Sequence, residues 1–215
     1  MVWKMVLAWV VAYVLGSIPS GIFWGWVTRH IDVRQHGSGR TGGTNVWRAV
    51  GFGPALLTAI SDGIKGACGV WLAQALGLEA WGLAIAGTLA VVGHNYSIFL
   101  KFRGGAGTAT SVGVVCALWG WWGVLTLVVV LVSVALLVGH ASVGSIVLAI
   151  LLPVVFLLRG EVAYAIGFGL LTMLLTLWAL RPNIQRIWKR EERFLPIYAE
   201  KPPLICISRH PAVKK

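Results

Sequence analysis

Long apolar segments dominate this chain of 215 residues and leave few options for its fold. Hydrophobic residues make up 58% of the sequence and charged residues only 12%, whereas a soluble domain carries about 25% charged residues. A helix that crosses a bilayer needs about 20 mostly apolar residues, and several runs of this kind are present. We therefore predict an all-α integral membrane protein, and we exclude a water-soluble enzyme, a disordered chain and a coiled coil.

Seven membrane spans are predicted from the apolar runs and the breaks between them. The segment Gly120-Trp121-Trp122-Gly123 has the character of an interfacial turn and divides one long run in two. The first run exceeds the roughly 7–15 apolar residues of a signal peptide and lacks a clean cleavage site, so we interpret it as an anchor. The predicted spans are 2–27, 51–77, 79–99, 108–119, 123–138, 143–158 and 161–180.

The basic residues collect on one side of this arrangement. Most of the 18 Lys and Arg residues fall in the loops after the first and third spans and in the tail that begins at Arg181, whereas Lys4 and Arg159 fall on the other side. Cytoplasmic loops carry an excess of Lys and Arg. The sequence therefore predicts an outside N-terminus and a cytoplasmic C-terminus, with a membrane domain over 1–192 and a basic cytoplasmic tail over 193–215. The net charge of +11 fits topology signals and contacts to anionic lipid or phosphate better than nucleic-acid binding.

The first predicted cytoplasmic loop combines glycines with small polar side chains and arginines. Between 37 and 48 it has four glycines, two arginines including Arg48, and the side chains of Ser38, Thr44 and Asn45. Glycine lets backbone N–H groups approach an anion closely, and arginine offers a two-pronged donor for phosphate. The pattern favours a phosphate-binding loop. The alternative is a flexible loop whose arginines only determine topology.

A second glycine-rich segment opens the fourth span and contains Arg103, Gly104, Gly105 and Gly107. A glycine-rich turn that leads into a helix N-terminus suits an anion through both its geometry and the helix dipole. It is not a Walker A loop, because no Gly-Lys-Ser/Thr follows at the required spacing. The alternative interpretation is a tight turn between helices.

Polar residues also occur at or within the spans. Ser142 and Ser145 lie three residues apart at the start of the sixth span and either contribute to a site or cap the helix. Asp62 and Lys65 lie three apart within the second span, where an ionisable pair marks a functional site or a structural ion pair. His94, near the end of the third span, is either a packing residue or part of the same site.

Few residues are suited to general-base or metal chemistry. The seven acidic residues form no paired-carboxylate or metal motif, and the three cysteines have no metal-ligand spacing. No histidine has an aspartate five positions on, which removes the His-x4-Asp arrangement of many acyltransferases. The sequence favours catalysis by positioning and charge neutralisation instead.

Taken together, these motifs resemble those of the bacterial acyl-phosphate:glycerol-3-phosphate acyltransferases of the PlsY type. The resemblance begins at Gly16-Ser17-Ile18-Pro19-Ser20-Gly21 and extends to about Glu192. It is carried by Gly37-Ser38 with Gly42-Gly43-Thr44-Asn45 and Arg48, Asp62 with Lys65-Gly66, Gly93-His94 with Phe102-Arg103-Gly104-Gly105 and Gly107, Ser142 with Ser145, and Asn183-Ile184-Gln185-Arg186 with Glu192.

The resemblance implies an enzyme that transfers a fatty acyl group from acyl phosphate to the 1-hydroxyl of glycerol 3-phosphate, giving lysophosphatidic acid and phosphate. It implies a multi-pass protein of the bacterial inner membrane with a cytoplasmic active site, acting as a monomer without metal or other cofactor. By the same resemblance, the catalytic residues are Ser38, Arg48 and Asn183. The substrate-binding residues are Thr44, Asn45, Lys65, His94, Arg103, Gly104, Gly105, Gly107, Ser142, Ser145 and Glu192.

The sequence departs from the family pattern in four places. Ala106 stands where the family has a phosphate-binding lysine, and Leu180 stands where it has a histidine. Arg40-Thr41 replaces an Asn-Pro, and Ser97 replaces a proline. If the lysine is simply lost, Ala106→Lys should tighten substrate binding. If the site is rebuilt, Arg40 is the first residue to test.

These departures leave two alternatives beside the enzyme. One is a divergent relative that binds phospholipid or acyl phosphate without catalysis, or that uses another acceptor. The other is a small transporter of an anionic solute, which the intramembrane Asp62 and Lys65 favour. The absence of an internal repeat and the location of the polar loops on one side argue against the transporter.

Overall fold

The computed structural model describes residues 2–209, which form helices and connecting turns. The helices are α1 (Val2–Ser17), α2 (Ser20–Arg29), α3 (Gly43–Ala49), α4 (Phe52–Ala75), α5 (Ala80–Asn95), α6 (Thr108–Trp119), α7 (Trp121–Val138), α8 (Ala141–Leu158) and α9 (Val162–Trp188). The last of these contains a π-helical segment at Ala165–Leu170.

Five helical segments of the described chain are long and apolar enough to cross a membrane. They are Val2–Arg29, Ala80–Leu100, Trp121–Val138, Ala141–Leu158 and Val162–Trp188. The other two predicted spans also fold as helices. Helix α4 is continuous, but polar residues interrupt its apolar sequence, and α6 has only 12 residues. The all-helical membrane fold is therefore confirmed, whereas the count of seven spans stays a prediction.

The exterior of the helix bundle is apolar. Large hydrophobic side chains such as Trp3, Trp121 and Leu158 are exposed at 63%, 60% and 83%. In water, an exterior of this kind would be unstable or would bind a partner, but lipid tails solvate it well. The exposed apolar surface is thus the surface expected of a protein that lies within a bilayer.

The first predicted span, 2–27, corresponds to the apolar segment Val2–Arg29, which consists of two helices rather than one. The break at Ile18 and Pro19 frees backbone carbonyls that a continuous helix would use, and Pro19 has no N–H to donate. Lys65 Nζ donates to the Ile18 carbonyl at 2.8 Å, and Ser97 Oγ donates to the Ser17 carbonyl at 2.6 Å. These bonds satisfy the broken backbone from within the protein.

Helix α5 is the most buried of the spans and packs against α1, α4 and α9. Its contact with α1 is backbone to backbone, since a side chain at Gly16 would overlap the Ala90 carbonyl. Helices α4 and α6 meet in the same way, because a side chain at Gly113 would overlap the Gly63 carbonyl. Small residues let membrane helices approach this closely, and the close packing fixes where the loops emerge.

One end of the bundle collects the glycine-rich loops and the polar end of α9. Helix α9 continues to Trp188, beyond the predicted limit of 180, and passes through Pro182. The segment after α9 folds back over the α7–α8 turn, where the Leu195 N–H donates to the Gly139 carbonyl at 2.8 Å. We call this end, formed by 30–51, 96–107, 139–145 and 176–195, the basic end.

Candidate functional site

A buried ion cluster lies directly beneath the basic end; it consists of Ser20, Asp62, Lys65 and His94. Asp62 Oδ1 accepts from Ser20 Oγ at 2.7 Å and lies 2.8 Å from Lys65 Nζ and 3.3 Å from His94 Nδ1. All four residues are buried. Lys65 and His94, both predicted to bind substrate, are therefore engaged with a carboxylate inside the protein.

The second glycine-rich loop rests on this cluster. The N–H groups of Gly104 and Gly105 donate to the carbonyls of Asn95 and His94, each at 3.0 Å. A side chain at Gly105 would overlap the His94 imidazole, so only glycine fits there. Gly107 starts α6 with φ +81°, a left-handed conformation that favours glycine. The loop thus takes its shape from contacts that exclude side chains.

Asn45 organises the first loop, 30–51. Its Nδ2 donates to the carbonyls of Val33, His36 and Arg40 at 2.8, 3.1 and 2.8 Å. Its Oδ1 accepts from the Ser38 N–H at 2.8 Å. The buried amide of Asn45 is therefore used to hold the loop backbone, including the segment that carries Arg40.

The hydroxyls of Ser38 and Thr44 are differently placed. Both residues are half-buried, and neither hydroxyl makes a hydrogen bond to any residue in the range 2–209. Ser38 is flanked by Gly37 and Gly39 with φ +55° and +72°, so the chain turns on both sides of it. The two hydroxyls remain available to donate to a bound molecule.

Glu192 is the centre of a second group of charges. Its buried carboxylate accepts from Ser142 Oγ at 3.1 Å and Asn183 Nδ2 at 2.7 Å through Oε1, and from Arg186 Nε at 2.8 Å through Oε2. Three predicted site residues therefore meet at one point, of which Ser142 lies 50 residues before Glu192 and Asn183 lies nine residues before it. Arg186 joins them from α9, one turn beyond Asn183.

Two further arginines reach the same region. The Arg40 guanidinium donates to the Ala179 carbonyl of α9, and Arg48 Nη2 donates to the Arg193 and Phe194 carbonyls at 3.3 Å each. Burial lowers the pKa of both Arg40 and Arg48, and the Glu192 carboxylate opposes that shift in each case. We call Arg40, Arg48, Arg186 and Glu192 the arginine cluster.

The arginine cluster carries more positive than negative charge. Arg40 and Arg48 both experience repulsion from Arg186, and Glu192 is the acidic residue that attracts them. Arg48 Nε is buried and has no hydrogen-bond partner in the described part of the chain. A half-buried group of guanidiniums with an unused donor is suited to an anion that arrives from outside.

Several predicted residues lie apart from this cluster. Ser145 Oγ donates to the Ala141 carbonyl of its own helix at 3.0 Å, as serines in helices often do. Arg103 is exposed on the second glycine-rich loop. The range 2–209 contains no group of three His, Cys, Asp or Glu residues suited to a metal ion.

Two members of the arginine cluster are not among the residues that the sequence predicts for the site. The sequence signal for Arg186 is the motif Asn183-Ile184-Gln185-Arg186, which carries part of the resemblance, and its position three residues after Asn183 puts both side chains on one helix face. Arg40 stands out in the sequence only as a departure from the family pattern. Its contact with Ala179 joins residues 139 positions apart, which no local pattern reveals.

The chain is similar to glycerol-3-phosphate acyltransferases along most of its length. The sequence model of the family described as glycerol-3-phosphate acyltransferase matches residues 6–190. The glycerol-3-phosphate acyltransferase of Thermus thermophilus is 41% identical over 93% of this chain and 97% of its own length. Glycerol-3-phosphate acyltransferase 1 of Deinococcus radiodurans is 41% identical over 88% of this chain and 94% of its own length.

Two solved crystal structures share the fold. Both are of PlsY (YgiH), an integral membrane glycerol 3-phosphate acyltransferase. The glycerol 3-phosphate form superposes with a TM-score of 0.80 at 30% identity, covering 88% of this chain and 94% of that one. The lysophosphatidic acid form has a TM-score of 0.78 at 29% identity, with the same coverage.

Proposed function

The chain belongs to the glycerol-3-phosphate acyltransferase family, and from this premise we propose that it acylates the 1-hydroxyl of glycerol 3-phosphate with an acyl phosphate donor. The products are lysophosphatidic acid and inorganic phosphate. The observation that carries the proposal is the arginine cluster, in which Arg186 pairs with the carboxylate of Glu192 at 2.8 Å, and Arg40 and Arg48 lie near enough to be attracted by it. Both substrates present a phosphate group that this excess charge attracts.

The proposed reaction is a direct acyl transfer. The 1-hydroxyl oxygen of glycerol 3-phosphate attacks the acyl carbon, the bond from that carbon to the phosphate oxygen breaks, and the departing phosphate takes the hydroxyl proton. Because an acyl phosphate is a reactive mixed anhydride, no covalent enzyme intermediate is required. The protein contributes positioning and neutralisation of the phosphate charge, which are the effects that arginines and backbone N–H groups supply.

We assign distinct roles to the residues around the site. Arg48 and the hydroxyls of Ser38 and Thr44 contact substrate, because they retain free or loosely used donors. The second glycine-rich loop, which includes Arg103, Gly104, Gly105 and Gly107, runs from the exposed Arg103 to the buried Gly107 and binds a phosphate. Asn183 and Ser142 hold Glu192 in place beside the arginines.

Other predicted substrate-binding residues act as positioning residues in this proposal. Asn45 fixes the first loop through its four hydrogen bonds. Lys65 and His94 belong to the buried ion cluster, on which the second glycine-rich loop rests. Their substitution should affect activity through the shape of the loops.

The proposal includes a topology with seven spans in a bacterial inner membrane. The basic end then faces the cytoplasm, where Lys and Arg are favoured and phosphorylated substrates occur. Helix α4 is included as a span because its ionisable residues are paired internally, which lowers the cost of placing them in lipid. The chain acts as a monomer, and no metal or other cofactor takes part.

The decisive experiment is an assay of the purified protein in detergent or lipidic phase. We expect phosphate release that requires both acyl phosphate and glycerol 3-phosphate, with lysophosphatidic acid formed in equal amount. Acyl-CoA should not replace acyl phosphate. Equal or higher rates with acyl-CoA would overturn the donor, and no transfer with either donor would overturn the function.

A second candidate function is acyl transfer to another phosphorylated acceptor. It is favoured by the neutral side chain at Ala106 and by the buried Leu180, which is 4% exposed and stands where the resemblance leads us to expect a histidine. The same assay distinguishes the two functions if glycerol 3-phosphate is replaced in turn by glycerol, dihydroxyacetone phosphate and other phosphorylated alcohols.

A further inference from the structure

The side chain of Arg40 and the residue Ala106 lie against the same turn of α9. Thr176 Oγ1 donates to the Ala106 carbonyl at 3.3 Å, and the Arg40 guanidinium donates to the Ala179 carbonyl. Residues three apart in an α-helix are separated by about 4.5 Å along its axis. A cation from the first loop therefore reaches the edge of the second glycine-rich loop.

A second set of contacts brings Arg40 to the same place. Arg40 lies close enough to Tyr96 to interact electrostatically with it, and Tyr96 directly follows Asn95. The Asn95 carbonyl accepts from the Gly104 N–H at 3.0 Å. Arg40 therefore contacts the turn of α9 that Ala106 also contacts, and it lies near the segment on which Gly104 rests.

The position of Arg40 is fixed rather than incidental. Asn45 Nδ2 donates to the Arg40 carbonyl at 2.8 Å, so the buried amide that organises the first loop also holds this backbone. The guanidinium is half-buried, is repelled by Arg186 and Arg181 and is attracted by Glu192. Three cations opposed by one carboxylate leave positive charge in excess, which a bound anion would offset.

The second glycine-rich loop has no cationic side chain in its last four residues before α6. Residues 104–107 are three glycines and an alanine, and the basic residue that precedes them, Arg103, is exposed. The N–H groups of Gly104 and Gly105 are bonded within the protein, which leaves those of Ala106 and Gly107 for a phosphate, and a phosphate also requires neutralising charge. The guanidinium of Arg40 contacts α9 beside this loop and can supply that charge.

We propose that Arg40 is the substrate-binding cation of the second glycine-rich loop, so that phosphate bound there is held by the N–H groups of Ala106 and Gly107 and by the Arg40 guanidinium together. The inference rests on the proposed function, since the phosphate belongs to one of the two substrates. Of the two interpretations of Ala106, the inference favours a site in which another residue supplies the missing charge over a site that has simply lost a lysine. A lysine at position 106 is then unnecessary in this chain, because the charge arrives from the first loop.

The test uses the full-length protein and the variants Arg40→Gln, Arg40→Lys, Ala106→Lys and Arg40→Gln/Ala106→Lys. The matched control is Arg34→Gln, since Arg34 lies on the same loop but pairs with Asp32 at the surface. KM and kcat are measured for acyl phosphate and for glycerol 3-phosphate separately, which identifies whose phosphate Arg40 binds. The rise in melting temperature with glycerol 3-phosphate and with inorganic phosphate measures binding without turnover.

We expect Arg40→Gln to raise one KM about tenfold, equivalent to about 1.4 kcal/mol, with a smaller change in kcat. Arg34→Gln should stay within about twofold of the parent. Arg40→Gln/Ala106→Lys should recover most of the lost binding, whereas Ala106→Lys alone should give no gain. Arg40→Lys keeps the positive charge, so we expect its KM to rise less than that of Arg40→Gln. This difference would show that the rise in KM comes from the lost charge and not from a folding defect.

The proposal is overturned if Arg40→Gln and Arg34→Gln have the same KM values and the same stabilisation by phosphate. It is also overturned if Ala106→Lys tightens binding in the parent but does not rescue Arg40→Gln. If the parent protein is active and the Arg40 substitutions change neither KM nor the stabilisation by phosphate, only this inference is rejected. A parent that transfers no acyl group rejects the proposed function, while the phosphate-stabilisation measurements still test Arg40.

Discussion

Two groups of charges in this protein differ in composition and in what they are suited to do. In the buried ion cluster, one carboxylate, Asp62, pairs with one ammonium, Lys65, and the pair lies within the helices. The arginine cluster combines one carboxylate, Glu192, with three guanidiniums, of which Arg186 contacts it directly, and the cluster lies at the basic end. The first is balanced by its own members, and the second has positive charge in excess.

This difference distinguishes a cluster that stabilises the fold from a cluster that can bind a ligand. Asp62 Oδ1 lies within 3.3 Å of three partners, and Lys65 also donates to the Ile18 carbonyl, so this cluster has little capacity for a further ligand. The arginine cluster retains an unpartnered buried donor at Arg48 Nε within the described residues. Substitutions in the first should therefore lower stability, and substitutions in the second should lower activity.

The largest expected effect is that of Asp62→Asn on stability. Removing one partner of a buried ion pair leaves the other charge uncompensated, which costs about 3–5 kcal/mol of unfolding free energy. The control is Asp32→Asn, because Asp32 pairs with Arg34 at the surface, and an exposed pair contributes about 1 kcal/mol or less. Denaturant unfolding in detergent measures both. Equal losses for the two variants would contradict a structural role for the buried ion cluster.

Arg48→Ala tests the other side of the comparison. Loss of a hydrogen bond to a charged phosphate costs about 1.5–3 kcal/mol, which corresponds to a decrease in kcat/KM of about 10- to 100-fold. Steady-state kinetics with both substrates provide the measurement, and Arg29→Ala, on an exposed helix end, is the control. If the melting temperature falls while the kinetics of the folded protein stay unchanged, Arg48 belongs with the supporting residues instead.

The smallest expected effect concerns pH and His140, at the edge of the arginine cluster. Its ring is buried and packs on Phe194. Burial lowers the pKa of His140 below its ordinary value of 6.5, and Arg48 adds to this effect, while the Arg193 carbonyl and Glu192 oppose it. The unfolded chain therefore binds this proton more readily, so the stability contributed by neutral His140 is present above pH 6.5 and is lost as the pH falls.

Melting temperatures between pH 7.5 and pH 5 check this expectation. The parent should lose stability towards pH 5, and His140→Gln should lose less over the same interval. His36→Gln, at an exposed position of the first loop, should behave as the parent does. Identical pH profiles for the parent and His140→Gln would show that protonation of His140 does not affect the cluster.

The positions of the helices were largely predictable because hydropathy directly reports burial in lipid. The prediction 51–77 corresponds to Phe52–Ala75, and the division at Gly120 separates α6 from α7. Hydropathy does not detect the break at Pro19, because Ser17 and Ser20 are isolated within an otherwise apolar run. It also misses the last turns of α9, whose polar residues fold as helix beyond the apolar segment.

The candidate site was predictable only in part. Glycine-rich loops and Arg48 carry their chemistry in the local sequence, so the amino-acid sequence alone identifies them. The partners of Glu192 could not be identified in this way, because Ser142 reaches it from 50 residues away. The division between supporting and binding residues also depends on burial, which distinguishes Lys65 from Arg48 although both are basic residues near predicted site motifs.

The break between α1 and α2 has a consequence for the order in which the chain is assembled. The Ile18 carbonyl accepts from the nearby Ser20 N–H at 3.1 Å as well as from Lys65, 47 residues later, whereas the donor to the Ser17 carbonyl, Ser97, lies 80 residues later. A carbonyl without a partner is costly in lipid. The segment that contains α1 and α2 therefore reaches its final backbone hydrogen bonding only after the segment that carries Ser97 has been synthesised and inserted beside it.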